Sequence, residues 1–284
     1  MKLLRLDERY PDGELAGFEV VREPHEDVVA VLTMPEHPVG EELLEQLPSL
    51  RVIGTASVGF DHVDLEAAER RGVAVVSVPD YCTEEVADHT LALLYALLRG
   101  VVALDRAVAR GEWDAKGIGP LRTVAGLRVG IVGLGRIGGA VATRLLALDA
   151  EVLAHDVLPV ARDGVRIVEL DELLAECDAV TLHVPLTRET RGLLGSSEIE
   201  SMRPGALLVN TSRGAVVDVG AVLAALRRGH LGGAALDVLP QEPPAAPPAA
   251  RNLIVTPHAA YYSPESEERA YRLCVARVRD VLGA

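Results

Sequence analysis

The stretch Val129-Gly130-Ile131-Val132-Gly133-Leu134-Gly135-Arg136-Ile137-Gly138 decides the fold. An apolar run of strand length leads straight into Gly-x-Gly-x-x-Gly, and an apolar helix over 137–148 opens behind it. Strand, tight glycine turn and helix in that order make the first half of a βαβ unit, which implies a parallel sheet. Each glycine has its own physical task. Gly133 permits the tight turn, Gly135 lets backbone amides approach a pyrophosphate, and Gly138 lets helix and strand pack closely. The next strand ends in His155-Asp156, roughly 20 residues beyond the first glycine. A carboxylate there can accept bonds from adenosine ribose hydroxyls and would repel a 2′-phosphate, which favours NAD over NADP. On the fingerprint alone, a tight turn without a dinucleotide, or one serving a methyltransferase, remains an alternative.

Outward from this centre, short β-like runs alternate with helical ones. Before it, strands are expected at 2–6, 18–22, 28–33, 51–56 and 73–78, with helices at 41–47 and 65–71, the latter capped by Asp64. A long segment, 83–110, reads as one helix opening on Thr83-Glu84-Glu85-Val86. Its Leu91, Leu93, Leu94, Leu97 and Leu98 make it apolar around more than one face, so it is expected to be buried between domains or against a partner subunit. From Leu127 a second βα series follows, with strands at 128–132, 151–156, 165–168, 179–184, 206–211, 234–238 and 253–256. Helices fall between them at 137–148, 170–176, 197–202 and 219–228. The Pro- and Ala-rich tract 240–248 can continue neither helix nor ladder and reads as a surface loop. A last amphipathic helix over 264–282 aligns Tyr271, Val275, Val278 and Leu282, and is expected to dock back on the first domain.

Composition narrows the function classes. The 284 residues suffice for two domains, and 49% are hydrophobic, enough for a sizeable core. A formal net charge of −14 argues against a general nucleic-acid binder, although one arginine can still dominate the field inside a cleft. The three cysteines, Cys82, Cys177 and Cys274, match no metal or CxxC spacing, and an odd count suits a reducing compartment. No apolar run approaches the roughly 20 residues that span a bilayer. The N-terminus lacks a signal-peptide core, so a cytoplasmic location is expected.

Three polar residues follow strand-like runs in the second series: Arg213 in Val209-Asn210-Thr211-Ser212-Arg213-Gly214, Glu242 in Leu239-Pro240-Gln241-Glu242-Pro243, and His258 in Thr256-Pro257-His258. Loops after strand ends form the ligand crevice of an open α/β sheet. A guanidinium there can grip a carboxylate in a bidentate way, and an imidazole beside a carboxylate has its protonated form stabilised. Singly, each has an ordinary structural reading: a surface arginine, a loop glutamate, a structural histidine. Their conjunction makes an anion-binding acid/base site, suited to hydride chemistry on a small 2-hydroxy or 2-keto acid.

These segments, with Ala56-Ser57-Val58-Gly59-Phe60-Asp61-His62-Val63-Asp64, Glu85-Val86-Ala87-Asp88-His89-Thr90, His183-Val184-Pro185-Leu186-Thr187 and Leu236-Asp237-Val238, resemble the D-isomer-specific 2-hydroxyacid dehydrogenases over almost the whole chain. The resemblance implies an α/β fold of two doubly wound parallel-sheet domains. A Rossmann nucleotide-binding domain (94–258) would be inserted in a discontinuous, flavodoxin-like substrate domain (1–93, with a returning helix at 259–284). It implies NAD as cofactor, with Arg213 binding substrate, His258 as proton donor or acceptor and Glu242 as its partner. It further implies cofactor contacts from Gly133, Gly135, Arg136, Ile137, Gly138, Asp156, Thr90, Val184, Pro185, Thr211, Ser212 and Asp237. Substrate contacts would come from Ser57, Val58 and Gly59, with Tyr81 near the mouth and Tyr261 lining an apolar, aromatic side-chain pocket.

Departures bear on the substrate. Thr55 stands where phosphoglycerate dehydrogenases of this family usually have an arginine, which weakens the case for a phosphorylated substrate. After His258 the chain has Ala259-Ala260-Tyr261-Tyr262-Ser263, where many relatives have small residues and the family's NAD-binding corepressors have an aromatic pair. The apolar segment 83–110 and the family pattern together suggest a homodimer through the nucleotide domain. A second reading stays beside the enzyme: an NAD(H)-sensing interaction protein of the same fold.

Overall fold

The computed structural model describes residues 1–283, and every strand pairing within them is parallel. The chain divides into two compact units: Met1–Cys82 with the segment from Tyr262, and Thr83–Tyr261. The sequence reading puts the joins instead at 93/94 and 258/259. The first join moves because α3 (Thr83–Leu98) is continuous from its first residue and packs on the second unit's own helix and strands.

The first unit contains β1 (Lys2–Arg5), β2 (Glu19–Val21), β3 (Val28–Thr33), β4 (Val52–Thr55) and β5 (Ala74–Val76), ordered β2-β1-β3-β4-β5. This is the flavodoxin-like arrangement, in which the strand order reverses beside the first strand. Strand β4 is buried at every position, as expected of a strand covered on both faces. Helices α1 (Glu41–Glu45) and α2 (Leu65–Arg70) follow β3 and β4, and Asp64 caps α2 by accepting from Ala67 N at 2.9 Å. Helix α9 (Pro264–Leu282) returns to this sheet with Tyr271, Val275, Val278 and Leu282 buried, as the stripe predicts. It lies directly on β4. A β carbon on Gly54 would sit 2.5 Å from Val278 Cγ2 and 2.9 Å from Cys274 Sγ.

The second unit holds a seven-stranded sheet: β6 (Arg128–Val132), β7 (Glu151–His155), β8 (Val165–Ile167), β9 (Ala179–Leu182), β10 (Ala206–Asn210), β11 (Leu231–Leu236) and β12 (Leu253–Val255). Their order, β12-β11-β10-β9-β6-β7-β8, is the doubly wound dinucleotide-binding order with one strand added at the edge. Between them run α5 (Arg136–Ala147), α6 (Leu170–Glu176), α7 (Ser196–Ser201) and α8 (Val219–Arg228).

Two expectations are corrected. The single helix over 83–110 is broken: α3 stops at Leu98 and α4 (Val101–Ala109) starts after Gly100, which adopts φ +60. A β carbon there would meet Ile118 Cδ1 at 2.3 Å, so tight packing against the 111–122 segment sets the break as much as the backbone does. Strand β11 begins at Leu231, not 234, because Gly232 and Gly233 let neighbouring backbone come close. A β carbon on Gly232 would lie 2.5 Å from Gly205 O. No helix among the described residues is long and apolar enough to cross a membrane.

Candidate active site

Strands β10, β11 and β12 are neighbours and parallel, so the loops that follow them leave the same edge of the sheet side by side. Strand spacing of about 4.8 Å then brings Arg213, Glu242 and His258 into one neighbourhood. The loop after β10 is shaped by Asn210, which is fully buried. Its amide donates to Arg213 O at 2.9 Å, while its Oδ1 accepts from Ser212 N and Ser212 Oγ at 2.9 and 2.8 Å. Gly214 then presses on the loop after β11, where a β carbon would lie 1.9 Å from the Leu239 carbonyl carbon. Only glycine allows that approach.

Glu242 and His258 are held against each other by a direct side-chain hydrogen bond. His258 Nδ1 lies 2.7 Å from Glu242 Oε2, while Glu242 Oε1 accepts from Leu239 N at 2.7 Å. Both side chains are about one-third exposed (37% and 36%), so a ligand can reach them. Partial burial pushes the Glu242 pKa up, but the hydrogen bonds from His258 and Leu239 N and the charges of His258 and Arg213 outweigh it. The carboxyl is held below its ordinary value.

His258 sits at φ +52, a left-handed conformation that costs a non-glycine residue on the order of 1 kcal/mol or more. Asp237, 1% exposed, over-determines that turn. Its carbonyl accepts from His258 N at 2.7 Å. Its Oδ1 accepts from Thr256 Oγ1 at 2.6 Å and Ala259 N at 2.9 Å, and its Oδ2 from Ala260 N at 3.0 Å. Tyr261 packs edge-on to the His258 ring, with centroids 6.1 Å apart.

The glycine-rich turn lies along the same sheet, at the end of β6. Gly133 has φ +92, and a β carbon there would lie 2.8 Å from His183 O; on Gly138 one would lie 2.0 Å from Gly133 O. Gly135 is different. It is exposed with φ −71, and nothing in the protein comes within 4 Å of where its β carbon would be. Neither backbone nor packing requires glycine at that position, whereas a pyrophosphate on the uncapped N-terminus of α5 would. Exposed Arg136 and half-buried Ile137 open that helix. Asp156 steadies the turn, Oδ2 accepting from Leu134 N at 2.7 Å and Oδ1 from Leu158 N at 2.9 Å. Each oxygen keeps a further lone pair for a ribose hydroxyl. These residues fit the adenosine and pyrophosphate of NAD.

The remaining expected residues divide. Val184 is partly exposed and Pro185 exposed beyond β9, and Ser212 is partly exposed beside Arg213. Thr211 is 8% exposed and Thr90 fully buried, their hydroxyls 2.9 Å apart. Thr90 Oγ1 donates to Val86 O, so its hydroxyl is committed inside the protein. Ser57, Val58, Gly59 and Tyr81 belong to the other unit. There Ser57 Oγ donates to Gly59 O at 2.6 Å, and Thr55 Oγ1 lies 2.7 Å from Ser57 Oγ and 3.1 Å from His62 Nε2. Val58 and Gly59 are half-buried, and Tyr81 is 6% exposed with its carbonyl accepting from Arg269 Nε.

Sequence reasoning missed several contributors. Asn210 and Gly214 shape the Arg213 loop and lie inside the quoted motif, but their tasks emerge only with coordinates. Val157 and Leu158, 90% and 66% exposed, follow Asp156 as adjacent apolar residues at a strand end, a signal readable from sequence. His183, whose Nδ1 is buried and unpartnered and whose Nε2 lies 3.1 Å from Thr181 Oγ1, is kept neutral by burial, its pKa pushed down to about 3.

Residues 91–260 match the family of D-isomer specific 2-hydroxyacid dehydrogenases, in its NAD binding domain. The chain is 40% identical over 239 residues to a glycerate dehydrogenase of Methylorubrum extorquens, covering 81% of this chain and 75% of that protein. It is 38% identical over 246 residues to a D-3-phosphoglycerate dehydrogenase of Archaeoglobus fulgidus, covering 84% of this chain but 46% of that longer protein. Among solved structures, a D-lactate dehydrogenase from Aquifex aeolicus complexed with NAD and lactic acid superposes with a TM-score of 0.91 at 31% identity, covering 100% of this chain and 96% of that one. The chain belongs to the NAD-dependent D-isomer specific 2-hydroxyacid dehydrogenases, a family of oxidoreductases.

Two outcomes follow from this geometry. Gly135→Ala should leave the unliganded protein as stable as wild type or up to about 1 kcal/mol more stable, because alanine narrows the unfolded ensemble. NADH binding should weaken by about tenfold or more, since its methyl group occupies the pyrophosphate approach. Paired thermal melts and calorimetric titrations check both signs. Glu242 has a depressed folded-state pKa, so its ionic stabilisation is present above the ordinary carboxyl value of 4.5 and is lost as pH falls through the lower folded value. The difference in Tm between wild type and Glu242→Gln should therefore be present at neutral pH and close below that value; a gap independent of pH would contradict it.

Proposed function

We propose that this protein interconverts a small, unphosphorylated 2-keto acid and its D-2-hydroxy acid, with Arg213 binding substrate, His258 moving the proton and Glu242 supporting its charge. The observation that carries this reading is the 2.7 Å pair of His258 Nδ1 and Glu242 Oε2, beside Arg213 on a turn that the fold over-determines. When bound, NADH supplies a hydride to the carbonyl carbon. The protein's task is to hold the acid, polarise its carbonyl and deliver a proton to the oxygen. Arg213 presents fixed positive charge to the substrate carboxylate and to the oxygen as it becomes alkoxide-like. With Nδ1 engaged by Glu242, the Nε2 edge of His258 is left to protonate that oxygen; in the reverse direction it takes the proton back.

Asp156 supports NAD over NADP through its charge at the ribose position. Val157 and Leu158 offer apolar surface beside it for an adenine ring. Loop Ser57–Gly59 and Tyr81 are assigned to substrate, and Tyr261, edge-on to His258, to the substrate side chain. Thr55, buried and tied to Ser57 and His62, provides no charge for a phosphate, which supports a neutral substituent.

His258→Ala should lower kcat by about 10²-fold or more, with NADH affinity little changed. The assay follows NADH absorbance with glyoxylate, hydroxypyruvate, pyruvate and phenylpyruvate. If wild type turns over none of them yet binds NADH tightly, the protein works as an NAD(H)-sensing regulator instead.

A homodimer through Thr83–Tyr261 completes the proposal. Helix α4 exposes Val101 and Val108 (56% and 50%), and the following loop exposes Trp113, the chain's single tryptophan, at 91%. Apolar groups at such exposure are better accounted for by a second subunit than by water. Sedimentation at micromolar concentration should give a dimer, and dilution to monomer should red-shift the Trp113 emission. A monomer at all concentrations, with a constant spectrum, rejects the dimer.

A further inference from the structure

The left-handed turn at His258 is held by Asp237, and Asp237 is in turn held by something outside its own loop. His89, on the second turn of α3, brings Nε2 to 3.3 Å from Thr256 Oγ1 and 3.6 Å from Asp237 Oδ1. Hydrogen counting fixes the direction of this chain. A threonine hydroxyl has one hydrogen, and Thr256 donates it to the Asp237 carboxylate at 2.6 Å. Its contact with His89 must therefore be as acceptor, so His89 carries a hydrogen on Nε2. The sequence of bonds runs from His89 Nε2–H to Thr256 Oγ1–H to Asp237 Oδ1. The same carboxylate receives Ala259 N and Ala260 N, immediately beyond His258. The neighbouring residue on α3 does the equivalent for the other loop. Thr90 spends its hydrogen on Val86 O, so Thr211, two positions before Arg213, donates to Thr90.

We infer that α3 acts as a brace for the reacting groups, with His89 a positioning residue that orients His258 through Thr256 and Asp237. It touches neither substrate nor cofactor in this role. Its effect is on the aim of the imidazole, where a displacement of about 1 Å is enough to slow proton transfer by up to about 10²-fold. The inference rests on the proposed role of His258 as the proton-transfer group.

The test compares His89→Ala with His89→Gln, whose Nε2 can reach the position of the imidazole Nε2 and carries hydrogen. His89→Ala should lower kcat by about 10-fold or more, with KM for NADH within about twofold of wild type, and His89→Gln should restore most of the loss. Thr256→Val, which keeps the shape and removes the relay hydroxyl, should match His89→Ala. The double variant should be no worse than either single one, as for two members of one chain. Hydrogen exchange reads the brace without activity: the Ala259 and Ala260 amides should exchange faster in His89→Ala and return to wild-type rates in His89→Gln. Unchanged exchange and kcat in His89→Ala and Thr256→Val overturn the inference, as does equal impairment of the Ala and Gln variants. If wild type lacks turnover while the exchange pattern holds, the brace stands and the catalytic reading fails.

Discussion

Backbone meeting backbone along one edge of the seven-stranded sheet is the constraint on which the rest depends. Gly133 lies against the His183 carbonyl, Gly138 against Gly133, and Gly214 against Leu239 and Pro240, each closer than any β carbon permits. These contacts weld the ends of neighbouring loops into a surface whose main-chain groups have fixed directions. The nucleotide turn, the arginine loop and the glutamate loop inherit their positions from it. A flexible side chain between any two would leave a tolerance too wide for hydride transfer, which depends on a separation set to fractions of an ångström.

On this platform the polar residues form a hierarchy of commitment. Asn210 and Asp237 are almost wholly spent on shaping turns, and both are buried where unsatisfied groups would be costly. Glu242 is divided, one oxygen on Leu239 N and the other on His258. His258 keeps one ring nitrogen uncommitted. The partly exposed side chains of His258 and Glu242 thus stand on loops shaped by buried polar groups.

Much of this was legible before any coordinates. The fingerprint and the alternation of strand and helix led to two parallel sheets, the three polar residues after strand-like runs to one shared site, and the family resemblance to the pairing of His258 with Glu242. The reading of 83–110 as one helix failed because periodicity is blind to a glycine that keeps the apolar pattern on both sides while reversing φ. The start of β11 was missed because Gly232 and Gly233 contribute no hydrophobic signal. His89 and Asn210 lie inside sequence motifs that give them no task of their own. Their work is done through hydrogen bonds to residues far away in sequence, and no local pattern encodes such a partner.

The packing of α9 onto β4 has a consequence for the chemistry of the thiols. Cys274 lies in that contact and Cys177 in the core of the other unit, and burial pushes both thiols up to about 12. Neither forms appreciable thiolate at neutral pH, and neither is in reach of a reagent while its unit is closed. Alkylation at each can proceed only through opening of the surrounding structure. The two sulfurs are therefore built-in clocks, one per unit, whose modification rates separate the local stability of one sheet from that of the other.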